Sequence, residues 1–337
     1  MAEVIPRASG IEDDKRPSSD SVSVILVAIG SLSHIDRALQ SLENQRNAPE
    51  FETIVAADPE LGDLGTLKAK YPGITMISRD GCRTPIELTT AGLDASTGDR
   101  ILLTEDSCVA TPEWVGTLSA TEWRDRAAVG GPIEPMPDAS PAMWAFFYVD
   151  FFRYMQPLED GVSPSLSVCN VAYHRSHLTE IKSLWSKGFH ETEIHRALQQ
   201  RFGPLHICAN AEVHVRRTVS FGDAVYERYA FGRLFAATRA VYAGTGRRLF
   251  YLAFSPALPV LLMGRMTARA VKSGPIFSMF IRALPALISM VLAWTWGEWL
   301  GYLTKRRPAR ITTAPETAIS EVRHLPVEQS GNSAIDA

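Results

Sequence analysis

Val22-Ser23-Val24-Ile25-Leu26-Val27-Ala28-Ile29-Gly30 is the stretch on which the reading of this chain turns. It is a short apolar run, rich in β-branched residues and closed by a glycine, and it suits a strand covered on both faces. Working outward, a helix-period stretch carries Ile35, Leu39 and Leu42 on one side and ends near Gln45. A second strand reads Phe51-Glu52-Thr53-Ile54-Val55-Ala56-Ala57, and Asp58-Pro59 signals a turn. The alternation predicts a helix over residues 64–70, a strand over 74–77, a helix over 85–95 and, after Gly98-Asp99, a strand over 100–104. Repeated β–α–β units make this an α/β chain with a wound, mostly parallel sheet flanked by helices. Ligands of such sheets sit beyond the carboxyl ends of the strands. That places Ile29-Gly30, Asp58 and Glu105-Asp106 on one rim.

Past Trp114 the pattern loosens. Residues 144–154 are aromatic-rich, and read as core or as a helix touching a bilayer; a Gly/Ser/Pro loop follows at 160–165. A helix over 191–201 leads into strands over 205–208 and 211–215. Of the 337 residues 46% are apolar, enough for a sizeable core. The net charge of −3 gives no footprint for nucleic acid. The four cysteines form no CxxC pair and read as reduced and structural, which fits a cytosol-facing domain. Residues 1–20 are polar, hold no signal-peptide core and are expected to be disordered, as is the tail over 305–337.

Two hydrophobic stretches close the ordered part. Residues 249–264 carry no charge but hold Pro256 and Pro259; residues 276–303 are long enough to span, interrupted by Arg282 and Glu298. Trp294, Trp296, Trp299 and Tyr302, followed by Lys305-Arg306-Arg307, suit an interfacial belt with a basic stop. The division predicted is residues 21–245 for the catalytic domain and 246–304 for membrane-associated helices. A two-helix hairpin with both flanks cytoplasmic puts most of the basic residues inside; in-plane helices are the other arrangement.

The sharpest chemical feature is Leu102-Leu103-Thr104-Glu105-Asp106-Ser107-Cys108, with Pro112-Glu113-Trp114 beyond it. Adjacent acids at the end of an apolar strand are costly to bury unless they meet a cation or solvent. Mg²⁺ and Mn²⁺ take carboxylate ligands together with substrate phosphate oxygens; a solvated acidic turn is the plain alternative.

In order and spacing, the opening strand, Leu39-Gln40-Ser41-Leu42-Glu43-Asn44-Gln45, Phe51 to Val55, and the segment from Ala95 to Trp114 resemble family 2 glycosyltransferases of the GT-A fold. The resemblance covers about residues 21–233. It implies an inverting, hexosyltransferase-type enzyme that uses a nucleoside-diphosphate-sugar donor and a divalent metal (Mg²⁺ or Mn²⁺) held by an acid-x-acid motif. That motif falls on Glu105-Asp106-Ser107, so Glu105 or Asp106 are the implied ligands and Ser107 stands where the third acid belongs. At the base-binding turn the family's two acids read Ala57-Asp58, leaving Asp58 for the nucleoside beside Ile29.

Gly188-Phe189-His190-Glu191-Thr192-Glu193 resembles the acidic motif whose carboxylate deprotonates the acceptor hydroxyl. Glu191 fits the first acidic position and Glu193 is its rival. Asn170 falls on a recurrent Asn on the acceptor side. His214 matches a histidine that approaches metal or diphosphate in some relatives, and a histidine on a strand is also commonly structural. Arg228 or Arg233, on a helix that lies over the donor in membrane-bound relatives, could grip phosphate.

The implied partners are the sugar donor, a glycan or lipid-linked acceptor and the membrane, with the catalytic domain at the cytoplasmic face of the cell membrane and a place in polysaccharide biosynthesis. Residues 227–233 lack the Gln-x-x-Arg-Trp motif of processive relatives, so single addition is expected. The departures at Ala57, Ser107 and Thr192 motivate the competing reading of a non-catalytic nucleotide-sugar-binding or scaffold subunit. A nicotinamide dehydrogenase is disfavoured, because Gly30-Ser31-Leu32-Ser33-His34-Ile35 lacks G-x-G-x-x-G.

Overall fold

The computed structural model describes residues 21–306 and 308, apart from 83, 217–219, 273, 275 and 276 and the side chains of 241 and 242. The ends expected to be disordered fall almost wholly outside the described residues.

The first half is the expected alternation: β1 (Val22–Ala28), α1 (Leu32–Glu43), β2 (Phe51–Ala57), α2 (Gly65–Lys70), β3 (Thr75–Ile77), α3 (Pro85–Ala95) and β4 (Arg100–Glu105). All seven residues of β1 are buried, as the continuous apolar run requires of a strand with helices on both faces. Ser31 caps α1 by accepting from the His34 N–H at 3.3 Å, and the helix buries Ile35, Ala38, Leu39 and Leu42. On α3, Thr84 and Glu87 form a capping box and Pro85 occupies the first turn. Gly92 lets that helix close on β1, since a Cβ there would lie 2.4 Å from Ile25 Cγ2.

The second half supplies β5 (Cys108–Ala110), α4 (Trp114–Ser119), β6 (Ala128–Gly130), β7 (Ile133–Pro135), α5 (Pro141–Phe151), β8 (Gly161–Ser163), β9 (Asn170–His174), α6 (Arg175–Glu180), α7 (Lys182–Trp185), α8 (Glu191–Phe202), β10 (Leu205–Ile207) and β11 (Val213–Val215). The main sheet runs β3-β2-β1-β4-β9-β6-β10-β8. Pairing is parallel from β3 through β4 and between β6 and β10; β9 and β8 run the other way. The order reverses direction at β1: one crossover leads out to β2, another returns to β4 on the opposite side. The crevice at the ends of β1 and β4 is therefore a topological switch point.

Just past β4 the chain leaves the main sheet and enters a small one, β5-β11-β7. Asn170 holds the two sheets together. Its Oδ1 accepts from the Trp114 indole at 2.8 Å, and its Nδ2 donates to Pro132 O at 2.8 Å and Ala211 O at 2.7 Å. The four cysteines are free thiols, as expected, with Cys108 and Cys169 buried.

The last elements are α9 (Phe221–Tyr242), α10 (Thr245–Phe254), α11 (Leu258–Lys272) and α12 (Phe277–Thr304). Residues Thr245–Lys272 and Phe277–Thr304 are long and apolar enough to cross a membrane by length and composition. They do not stand off from the α/β layers as a separate hairpin. Helix α12 packs on α9 and α5, and the aromatic helix α5 is buried in the main core. Tyr148 meets Phe280 edge-on at 5.0 Å. Backbones of α9 and α12 approach so closely that a Cβ on Gly297 would lie 2.0 Å from Tyr229 O. By contrast, nothing lies within 4 Å of a Cβ built on Gly264 of α11. Gly297→Ala is expected to lower stability by about 1–3 kcal/mol through forced separation of the helices, whereas Gly264→Ala leaves the unfolding midpoint unchanged or slightly raised; thermal unfolding of the two variants side by side checks this.

Candidate active site

The crevice begins with Asp106, the first residue past β4. It is 4% exposed, and its Oδ2 accepts the Gly30 N–H at 2.7 Å. The N–H groups of Ser31, Ile29 and Ser107 also face it, while burial pushes its carboxyl up to about 6. The side chain thus fixes the loop between β1 and α1 against the end of β4. The Asp106 N–H in turn donates to Val27 O at 2.9 Å, which continues the β1–β4 ladder to the rim.

Asp58 lies at the end of β2, its N–H bonded to Ala28 O at 2.9 Å. Its Oδ1 caps a short turn through the Glu60 N–H at 2.9 Å, so the turn-forming part of its chemistry is realised, and the residue remains partly exposed. Ile29, Asp58, Glu105 and Asp106 are brought together at the ends of neighbouring strands, as strand order and spacing anticipate.

Glu191 opens α8 and is 4% exposed. Burial raises its carboxyl to about 8, with the Glu105 carboxylate adding to the rise and the Val168 N–H opposing it. The electrostatic coupling puts Glu191 and Glu105 in one locality. Its Oε1 lies 3.9 Å from His195 Nδ1, one turn along, and His195 Nε2 meets the Tyr173 hydroxyl at 2.6 Å. Burial lowers His195 to about 3, so this ring is neutral at physiological pH. Glu193, two residues on, points about 200° around the helix from Glu191. The pair anticipated as rivals is thereby separated: Glu191 faces inward, Glu193 does not share its face.

Other anticipated residues are occupied elsewhere. Asn170 is 1% exposed with both amide donors bonded to carbonyls, so its expected acceptor contact gives way to a role in joining the sheets. Arg228 is also 1% exposed; it pairs with Asp150 of α5 and with Glu227 at 3.2 Å, and lies over the Phe146 and Phe231 rings. Removing one partner of an ion pair buried in this way would leave an uncompensated charge, and with the pair in place no guanidinium face is left for a diphosphate. Arg233 donates to the Tyr229 hydroxyl at 2.7 Å and to Arg306 O at 3.1 Å, again within that layer. His214 bonds Glu212 at 3.0 Å, which raises its pKa, and stands near Glu134, a buried acid on β7 pushed up to about 7.

Two residues at the crevice escaped the sequence reading. His34, in the first turn of α1, has its Nδ1 2.6 Å from a Cβ built on Gly30; burial lowers its pKa, and the Arg37 and Arg216 charges add to the fall. Arg216 follows β11; its N–H donates to Ser107 O at 2.8 Å, and its guanidinium pairs with Asp138. Arg216 sits beside the acid motif only through the β5–β11 pairing, for which the sequence holds no local signal, whereas His34 is placed there by the first turn of α1.

For a metal, the donor chemistry is suitable in type: hard carboxylate oxygens at a strand end. Among the described residues no group of three or more His, Cys, Asp or Glu side chains is clustered to cage an ion. Glu105 and Asp106 therefore fit an ion delivered with substrate phosphates, to which the protein contributes one or two carboxylates.

No protein-family model matches the chain, and no curated protein matches it in sequence. Solved structures do. A structure of GalNAc-T7 with UDP, GalNAc and Mn²⁺ aligns at 15% identity and a TM-score of 0.45, over 60% of this chain and 44% of that one, so this chain spans less than half its length. The mannosyltransferase PcManGT from Pyrobaculum calidifontis, with GDP-Man and Mn²⁺, aligns at 15% identity and a TM-score of 0.48 over 86% of both chains. TarS from S. aureus, residues 1–349 with UDP, aligns at 12% identity and 0.44, over 82% of this chain and 92% of that one.

The raised Glu191 carboxyl carries a stability consequence. The folded chain holds that proton more tightly than the unfolded one, whose ordinary value is 4.5. The stabilisation is complete below that value and is lost as pH rises through about 8. Glu191→Gln keeps the neutral shape without titrating. The variant is expected to match the parent's unfolding midpoint near pH 5 and to exceed it by several degrees near pH 9, measured by thermal unfolding across that range.

Proposed function

We propose that this chain is an inverting glycosyltransferase of hexosyltransferase type, related to family 2. It would move a sugar from a nucleoside-diphosphate donor to a glycan or lipid-linked acceptor, by single addition, at the cytoplasmic face of a membrane, in the building of a polysaccharide. The observation that carries this reading is the meeting of Glu105, Asp106 and the buried Glu191 at the switch point of a wound sheet, where such folds bind ligands.

In this scheme the nucleoside lies along the rim of Ile29, Gly30 and Asp58, with Asp106 holding the loop against which it rests. Glu105 and Asp106 would hold Mg²⁺ or Mn²⁺, which when bound supplies positive charge to the departing diphosphate. Arg216 stands where it can add to that charge, a duty the sequence reading gave to Arg228 and Arg233, while His34, whose pKa is lowered, can offer a hydrogen bond only. Glu191 accepts the proton of the acceptor hydroxyl as its oxygen attacks the sugar carbon. A raised carboxyl suits that task, because a base works best when its pKa lies near the operating pH. His195, neutral and bonded to Tyr173, lies 3.9 Å from Glu191; Glu193, half-buried, lies on another face of the helix.

The test is a thermal-shift screen of nucleoside diphosphates and sugar donors, with and without Mn²⁺, followed by a transfer assay. A donor that stabilises the chain should be turned over by the parent, whereas Glu191→Gln should bind it equally and lose turnover by about 10²–10⁴-fold. Donor binding with no transfer or hydrolysis by the parent would instead mark the non-catalytic nucleotide-sugar-binding subunit, and stabilisation by none of the ligands would sink both. Where turnover is found, kcat/KM should rise with pH and level off above about 8, the value of the free Glu191 carboxyl.

A further inference from the structure

We propose that α10, α11 and α12 form one face that lies in the plane of an anionic lipid surface, entering a single leaflet, and that no segment between Thr245 and Arg306 crosses the bilayer. This rests on the membrane half of the reading above and not on its chemistry.

In a hairpin with both flanks on the side of the α/β domain, the turn between α11 and α12 would stand across about 30 Å of hydrocarbon from that domain. The structure holds both sides of that turn against it. Three residues before the end of α11, the Arg269 guanidinium donates to Met155 O and to Pro157 O, the latter at 3.0 Å, in the segment between α5 and β8. Met266 and Ala270 are buried in the main core cluster, together with Trp144 and Tyr148. Early in α12, Phe280 joins the same cluster, 1% exposed against Tyr148. The opposite end is held through α9, whose Arg239 guanidinium lies 4.0 Å from the Tyr251 ring and donates to its hydroxyl at 2.8 Å, while Arg248 ties α10 to α12 by donating to Tyr302 O at 2.7 Å. A layer fastened to the domain at both ends runs along its surface.

The outer face of this layer is what a leaflet would meet. Phe250 is 56% exposed, Phe254 58%, Val260 78%, Leu261 57%, Leu292 53% and Trp296 58%, an apolar surface with no protein partner among the described residues. Charge decides the occupant. Arg247, Arg265, Lys272, Arg282, Lys305 and Arg306 are exposed on the same segment, and its single acid, Glu298, is 6% exposed and bonded to Trp294. A second copy of this face would bring like charges together, whereas anionic headgroups complement them, each basic residue near such a surface contributing about 1 kcal/mol. Lying flat, these long side chains reach the headgroup level beside the apolar groups; in a spanning helix Arg265 and Arg282 would point charge at hydrocarbon.

The experiment places single cysteines in the full chain, on a Cys82→Ser, Cys208→Ser background. Lys272→Cys reports the turn, and Glu43→Cys on α1 reports the α/β domain; both positions are exposed. Sealed vesicles of either orientation, made from producing cells, are treated with a membrane-impermeant maleimide. The expected result is modification of both sites from the same side. Modification of Lys272→Cys only from the side opposite Glu43→Cys would overturn the proposal and leave the membrane and enzymatic readings intact.

Purified full chain is then sedimented with phosphatidylglycerol and with phosphatidylcholine vesicles. Binding should favour phosphatidylglycerol, fall as salt rises, and weaken about fivefold with each of Arg265→Gln and Arg282→Gln. Equal binding to both lipids overturns the choice of an anionic surface. Binding to neither, with a dimer at sedimentation equilibrium, assigns the face to a second copy and removes the membrane half of the function, while donor binding and transfer would still stand.

Discussion

The Asp106 carboxylate, enclosed at the end of β4 and accepting the Gly30 N–H at 2.7 Å, is the contact around which this structure is arranged. It joins the loop leaving β1 to the strand beside it, at the reversal of strand order. It also stands where the chain departs for the small sheet, bringing β11, and with it Arg216, to the crevice. Burial favours its neutral form and several backbone N–H groups favour the charged one, so the residue sits between them at about 6. A carboxylate stabilised this way holds backbone in place while presenting negative charge at the rim. Glu105, its neighbour, is less enclosed and acts outward, on Glu191.

In the proposed function the two electrostatically coupled acids, Glu105 and Glu191, have opposite requirements. Glu105 must be ionised to attract a cation, and its charge helps keep Glu191 protonated. A cation arriving beside Glu105 would weaken that repulsion and lower the Glu191 value, readying it to accept a proton when donor and ion are in place.

How much of this could be read beforehand follows from which forces are local. The wound sheet was legible because β1 and β4 are continuous apolar runs and α1 and α3 carry periodic faces and strong caps. The rim was legible because strand ends locate themselves once strand order is inferred. Glu191 was legible as an acid at a helix start, but its burial and its coupling to Glu105 come from β9 and the segment before it, far away in sequence. The pairing of Arg228 was not legible, because its partner, Asp150, lies 78 residues upstream on another helix. The bonding of Asn170 was hidden for the same reason: three partners from three separate segments absorb its amide. The layer formed by α9 and α12 did leave a trace, in Gly297 and Gly301 at one-turn spacing opposite Gly232, a pattern that permits close helix approach and that hydropathy alone passes over.

The most direct measurement of the central claim, a donor site at the β1–β4 switch point, is amide hydrogen exchange of the full chain with and without the nucleoside diphosphate that stabilises it. The account predicts slowed exchange in residues 29–34, 58–62 and 105–108, with Glu191 and the first turn of α8 responding when an acceptor is added. Protection confined to α9 and α12, with the β1–β4 rim unchanged, would contradict it.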